Sequence, residues 1–99
     1  MKIYLDDVRN TPPGWVRAYW PREVISLLKH NEVTELSLDH DLGDDKRGTG
    51  YDVLTWIEEQ VFLHGMTPPK RIVVHSDNGP GRERMLAAID AIYRLASRH

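Results

Sequence analysis

The 99-residue chain has 40% hydrophobic residues, 28% charged residues and a formal net charge of -2, which excludes disordered and fibrous classes and does not indicate a nucleic-acid-coating surface. This length has room for one ordinary domain, so we expect a single domain over residues 1–99. The absence of cysteine excludes disulfides, thiolate chemistry and cysteine-based zinc sites. No apolar run has the length of a signal segment or membrane span, so we expect a cytoplasmic protein without a membrane partner.

Four short strands are predicted from apolar, β-branched runs bounded by turn residues. They lie at residues 3–5, 15–19, 35–40 and 72–74. In the second strand apolar and polar residues alternate only weakly, so we predict it at an edge of the sheet. It follows a loop at 10–14, where two prolines and a glycine disfavour regular structure.

Three helices are predicted between and after these strands from apolar residues spaced three and four apart. The first begins at Pro21 and stops near Asn31, and the second is capped by Thr49 and terminated by Gly65. The third follows a turn-rich loop at 77–81. Strands that alternate with helices predict an α/β fold with a parallel sheet and right-handed crossovers.

Polar side chains follow three of the predicted strands at their carboxyl ends. Asp6-Asp7 follow the first strand, Asp39 and Asp41 end the third, and residues 75–78 follow the fourth. Ligands of open α/β sheets bind outside these ends. We therefore expect the three segments to converge at one edge of the sheet.

The acids of these segments predict a site for Mg²⁺ or Mn²⁺, because hard cations prefer oxygen ligands. Asp6, Asp7 and Asp39 are the predicted ligands, and Asp41 is a further ligand or a base that orients water. Taken separately, Asp6-Asp7 could be ordinary turn residues, and Asp39 and Asp41 could belong to a solvated loop. An EF-hand loop counted from Asp39 is excluded, since Gly50 stands at its twelfth position. A nucleophilic D-x-D aspartate of a larger phosphatase fold needs a longer chain.

A proton-transfer and phosphate-binding set is predicted opposite the acids. His75 is a candidate general acid or base, or else a partly buried polar residue. Asn78 is a turn residue or a donor to phosphate oxygen. The helix start near Gly81 would offer backbone N–H groups to an anion.

Two further residues keep open alternatives. Arg9 is either a counter-ion to the acids or a phosphate ligand. His40 points away from Asp39 and Asp41 if the strand stays regular, because successive side chains alternate between faces. In that case His40 has a structural role. If the loop instead turns its side chain back toward the site, His40 is a candidate phosphate ligand.

Three segments together resemble the cyclic-phosphate processing receiver-like domains, a divergent branch of the response-regulator receiver superfamily. They are Leu5-Asp6-Asp7-Val8-Arg9 with Pro12-Pro13-Gly14-Trp15, Ser37-Leu38-Asp39-His40-Asp41-Leu42-Gly43, and His75-Ser76-Asp77-Asn78 with Gly81 and Met85. Ser76 also matches the small hydroxyl residue of receivers, and is added to the predicted phosphate-binding set. The first receiver helix is replaced here by the loop at 9–14, and the last strand, its lysine and the last helix are missing.

The resemblance implies a small three-layer sandwich, a degenerate flavodoxin-like receiver fold of about four parallel strands and three helices. It implies a role in processing cyclic phosphates, with a cyclic-phosphate nucleotide or an RNA 3′ end as partner. The leading hypothesis is a metal-dependent phosphoesterase. The alternatives are a signalling module that accepts a phosphoryl group on Asp39, and a non-catalytic binder of a nucleotide or a protein.

Overall fold

The computed structural model describes residues 1–98, with Asp45 described by its backbone alone. The strands are β1 (Lys2–Leu5), β2 (Val16–Ala18), β3 (Glu35–Leu38) and β4 (Arg71–Val74). The helices are α1 (Pro21–His30), α2 (Gly50–His64) and α3 (Gly79–Ala96), with a short 3-10 turn at Asp45–Arg47. None of the helices in residues 1–98 is long and apolar enough to cross a bilayer. The cytoplasmic location stays a prediction.

The four strands form one parallel sheet in the order β2-β1-β3-β4, as the alternation of strands and helices predicted. β2 lies at an edge, and residues 6–15 connect it to β1 without a helix. The strand order reverses direction between β1 and β3. In flavodoxin-like sheets this switch point is where ligands bind.

The predicted receiver-like fold of four parallel strands and three helices is confirmed. All three helices cover one face of the sheet, so the molecule has two layers where a three-layer sandwich was expected. The core residues that the strands contribute are Ile3, Leu5, Ala18, Leu36, Leu38, Ile72 and Val74. They share one face and pack in a single cluster with residues of all three helices. Both helical crossovers run in the same direction across the sheet, and their right-handedness places α1 and α2 on the same side. A helix between β1 and β2 would cover the opposite face, where this chain has only a loop.

Helix ends follow the predicted capping residues, with one correction. The Thr49 hydroxyl accepts from the Tyr51 N–H at 3.2 Å, and Gly65 ends α2 in the left-handed conformation with φ 65°. α3, however, begins at Gly79, inside the predicted loop. Asn78 caps it, and proline is tolerated in the first turn, where its missing N–H costs no helical bond.

β3 ends at Leu38, two residues earlier than predicted. The Asp39 N–H still donates to the Leu5 carbonyl at 2.9 Å, but the Asp39 carboxylate accepts the next N–H, that of His40, at 2.8 Å. The backbone N–H of His40 thus bonds to the Asp39 side chain and not to a neighbouring strand, which ends β3. Asp39 and His40 therefore belong to the loop that forms the site.

Candidate functional site

The predicted convergence at the carboxyl ends of the strands is present. Asp6 follows β1, Asp39 follows β3 and His75 follows β4. One potential ligand atom from each lies within 4.8 Å of the other two. The three side chains meet beside the switch point of the sheet, on the face that carries no helix, because all three continue the alternation of Tyr4, Ser37 and Val73.

Asp6 is the most constrained member of this cluster, since its side chain is fully buried. Its Oδ1 accepts from the backbone N–H groups of Val8 and Arg9 at 2.8 Å each. Its Oδ2 accepts from Arg9 Nη1 at 3.0 Å and from His75 Nε2 at 2.9 Å. Burial alone would raise the pKa of Asp6, but the hydrogen bonds from Arg9, Val8 and His75 outweigh it and lower the pKa to about 2.

Arg9 is the cation that faces the acids. Its Nη1 lies 3.4 Å from Asp39 Oδ2 as well as contacting Asp6, and its Nη2 donates to the exposed Asp77 at 2.8 Å. Arg17 holds the loop that carries it, by donating to the Asp6 carbonyl at 2.9 Å and to the Arg9 carbonyl. Arg9 therefore acts as a counter-ion, and its guanidinium spans the cleft.

Asp39 is buried but less completely neutralised than Asp6. Burial and then the nearby Asp6 carboxylate raise its pKa above the usual range. Its backbone is held closely by α2, because a Cβ placed on Gly50 would lie 1.9 Å from the Asp39 carbonyl oxygen. A second cation near Asp39 would stabilise its charged form.

His75 has a partner at both ring nitrogens. Nε2 meets Asp6, and Nδ1 lies 2.7 Å from the Ser37 hydroxyl oxygen. The ring stacks on Tyr4 with a centroid distance of 4.4 Å and an interplanar angle of 3°. Burial lowers the pKa of His75 below its ordinary value despite the hydrogen bond with Asp6, which favours a neutral ring at pH 7.

His40 and Asn78 form a second group beneath the start of α3. The His40 Nδ1 donates to the exposed Asp41 at 2.8 Å, and this bond lowers the pKa of Asp41. Asn78 Nδ2 also donates to Asp41, while its Oδ1 accepts from the Gly81 N–H at 2.9 Å. The predicted phosphate donors Asn78 and Gly81 are thus already hydrogen-bonded within the protein.

A cleft of about 510 Å³ opens over these groups. Its lining residues are Asp7, Val8, Arg9, Asp39, Asp41, Gly43, Ser76 and Asp77. Four of them are acids and one is an arginine, so the walls by themselves would repel a phosphate. Asp7 lies on the wall, outside the three-residue cluster, and Ser76 is buried, with its hydroxyl accepting from the Asn78 N–H at 3.1 Å.

The model of the cyclic-phosphate processing receiver domain matches residues 1–91. The chain belongs to this family. The match covers every strand and most of α3, and confirms the resemblance on which the fold was predicted. No curated protein and no solved structure gives a significant match to the chain.

The donor set of this receiver domain fits a divalent cation. Two carboxylates and one imidazole lie close enough together to bind the same ion. Such mixed sets of oxygen and nitrogen ligands bind divalent metals. Arg9 Nη1 would have to leave Asp6 and Asp39 for both to become ligands, which its partial exposure and its second partner Asp77 allow. In this structure the Arg9 guanidinium supplies the positive charge that both carboxylates share.

Sequence reasoning missed three residues that shape the site of this receiver domain. Ser37 lies in the predicted strand at 35–40 on the same face as Asp39, because successive side chains alternate, but the sequence gives no sign of its contact with His75. The sequence assigns no role to Arg17, and none to Asp77 beyond the expected convergence of residues 75–78. Sequence periodicity does not reveal these contacts, because the partners lie 6 to 68 positions away in the chain.

Proposed function

We propose that this receiver domain is a metal-dependent phosphoesterase that opens a cyclic phosphate on a nucleotide or an RNA 3′ end. The observation that carries the proposal is the cluster of Asp6, Asp39 and His75, with ligand atoms within 4.8 Å at the switch point of the sheet. A cyclic phosphate is an anion, and the acidic cleft needs a cation to bind it. Membership of the cyclic-phosphate processing family supports a cyclic phosphate as the class of substrate.

Asp6, Asp39 and His75 would hold the ion. The imidazole favours Mn²⁺ over Mg²⁺, since magnesium prefers oxygen ligands throughout. When bound, such an ion polarises a phosphoryl oxygen and lowers the pKa of a water ligand. This arrangement favours a ligand role for His75 over the general acid–base role predicted from sequence, because its Nε2 faces the cluster.

The remaining residues would bind the phosphate and orient the water. Arg9 is the best phosphate ligand, because its guanidinium lines the cleft and can turn from the acids to a non-bridging oxygen. Asp41 lines the same cleft with a side chain that is 58% exposed, so it can accept a proton from attacking water. Ser76 lines the same cleft, Asn78 and His40 hold Asp41 by hydrogen bonds, and the Gly81 N–H donates to Asn78. Asp7, which also lines the cleft, remains a candidate metal ligand.

The test is turnover of a panel of cyclic phosphates, followed by mass spectrometry. Nucleoside 2′,3′-cyclic and 3′,5′-cyclic monophosphates, a cyclic dinucleotide and an RNA with a cyclic 3′ end are each incubated with Mn²⁺, Mg²⁺ or EDTA. We expect hydrolysis of one class with metal, faster with Mn²⁺, and none with EDTA. Asp39→Asn and His75→Ala should each lower turnover by at least about a hundredfold.

Asp90→Asn is the matched control, because Asp90 pairs with Arg94 on the exposed surface of α3. It should turn over substrate at the wild-type rate. Near-normal activity of Asp39→Asn or His75→Ala removes the role assigned to that residue. A stable phosphoryl adduct on Asp39 without turnover supports the signalling alternative, and tight retention of unchanged nucleotide supports the binder. Either result contradicts an enzyme.

A further inference from the structure

The Ser37 hydroxyl is buried against His75 on the helix-free face of the sheet. Ser37 is 6% exposed, and its Oγ lies 2.7 Å from His75 Nδ1. Tyr4 is its register partner on β1 and also the ring on which His75 stacks. The imidazole is thus fixed in plane by Tyr4 and at its two nitrogens by Ser37 and Asp6.

Asp6 determines which nitrogen of His75 carries the proton in this arrangement. The Asp6 carboxylate accepts hydrogen bonds and has no proton to donate, so Nε2 must be protonated. A neutral ring then has a bare Nδ1. The Ser37 O–H donates to it, and both groups are satisfied inside the protein.

A metal at the cluster requires the opposite tautomer. Nε2 binds a cation through its lone pair, so the single ring proton must move to Nδ1. A metal-bound histidine commonly donates its other N–H to a fixed acceptor. The Ser37 oxygen is within reach, and a hydroxyl both donates and accepts.

We propose that Ser37 is a positioning residue whose hydroxyl reverses its hydrogen bond, so that His75 presents the Nε2 lone pair when the Asp6–Asp39 cluster takes up a cation. This inference rests on the metal site of the proposed function. The ring keeps one proton throughout, and only its position changes. Ser37 touches neither metal nor substrate and acts through His75.

The test compares Ser37→Ala, which removes the hydroxyl, with Ser37→Thr, which keeps it and suits a strand. The probe is Zn²⁺, which is diamagnetic and accepts imidazole ligands. We expect Ser37→Ala to lower the Zn²⁺ affinity, measured by calorimetry, by at least about tenfold. Ser37→Thr should retain wild-type affinity. Ser26→Ala on the exposed side of α1 is the control and should bind as the wild type does.

Nitrogen NMR of the His75 ring gives the second measurement. The wild type should have Nε2 protonated without metal and Nδ1 protonated with Zn²⁺. Unchanged affinity in Ser37→Ala, or a ring that keeps Nε2 protonated in the zinc form, would overturn the inference. Zinc binding that depends on Ser37 without turnover of any cyclic phosphate supports the inference and rejects the enzyme. If Ser37→Ala turns over a cyclic phosphate at the wild-type rate, the enzyme is supported and the role of Ser37 is rejected.

Discussion

Asp6 shows how a residue that looks ordinary in the sequence becomes the centre of a site. An aspartate after a strand is common in turns, and Asp6 does make one, with Val8 and Arg9. Its second oxygen, however, accepts hydrogen bonds from His75, which follows β4, and from the Arg9 side chain. The sequence predicted that Asp6 and Asp39 would be neighbours, and it left Arg9 as either their counter-ion or a phosphate ligand, between which the structure shows the counter-ion.

Asp6→Asn should destabilise the protein far more than Asp77→Asn. An amide at position 6 can still accept from the two backbone N–H groups, but its NH₂ would face the donors of Arg9 and His75. We expect the free energy of unfolding to fall by about 2–4 kcal/mol. Asp77 is 96% exposed, so its loss should cost less than about 1 kcal/mol. Urea denaturation followed by tryptophan fluorescence measures both, and equal losses would contradict the central position of Asp6.

At the scale of elements, the first turn of α3 packs closely on the ring of His40. The sequence predicts a turn-rich loop over residues 77–81, whereas α3 already begins at Gly79. A Cβ on Gly81 would lie 2.7 Å from two carbons of the His40 ring, whereas one on Gly79 would meet nothing within 4 Å. The helix packs on His40 at Gly81, and only the folded arrangement distinguishes the two glycines.

The pair Gly81→Ala and Gly79→Ala tests this packing. His40 is buried and held by Asp41, so it cannot yield easily. Gly81→Ala should lower the free energy of unfolding by about 1–3 kcal/mol. Gly79→Ala should change it by less than about 1 kcal/mol and can raise it, because alanine favours a helix. Thermal unfolding followed by circular dichroism compares them, and equal destabilisation would argue against the His40 contact.

At the scale of the whole molecule, four strands carry helices on one face and the polar cluster at one end of the other. Acids are therefore buried close to one another, and acidity should affect stability through them. The pKa of Asp6 is lowered from 3.8 to about 2 on folding, whereas that of Asp39 is raised. The two carboxyls therefore contribute with opposite signs to the change of the free energy of unfolding with pH.

The lowered pKa of Asp6 predicts a loss of stability in acid. The unfolded state takes up the Asp6 proton first, so the stabilisation is complete above about pH 4 and is lost as the pH falls toward about 2. It amounts to about 2 kcal/mol. Urea denaturation between pH 6 and pH 3 should show a steeper decline for the wild type than for Asp6→Asn, with Asp90→Asn parallel to the wild type. Parallel curves for wild type and Asp6→Asn would contradict the shifted pKa.

The sequence by itself determined the number and order of elements, the parallel sheet, the caps at Thr49 and Gly65, and the meeting of Asp6, Asp39 and His75. These follow from periodicity, turn chemistry and the common direction of parallel strands, which act locally or by topology. Only the tertiary structure decided that Arg9 lies between Asp6 and Asp39 and that Ser37 binds His75. Those depend on side chains distant in sequence that reach each other only after the sheet has formed, so the pattern of the chain does not contain them.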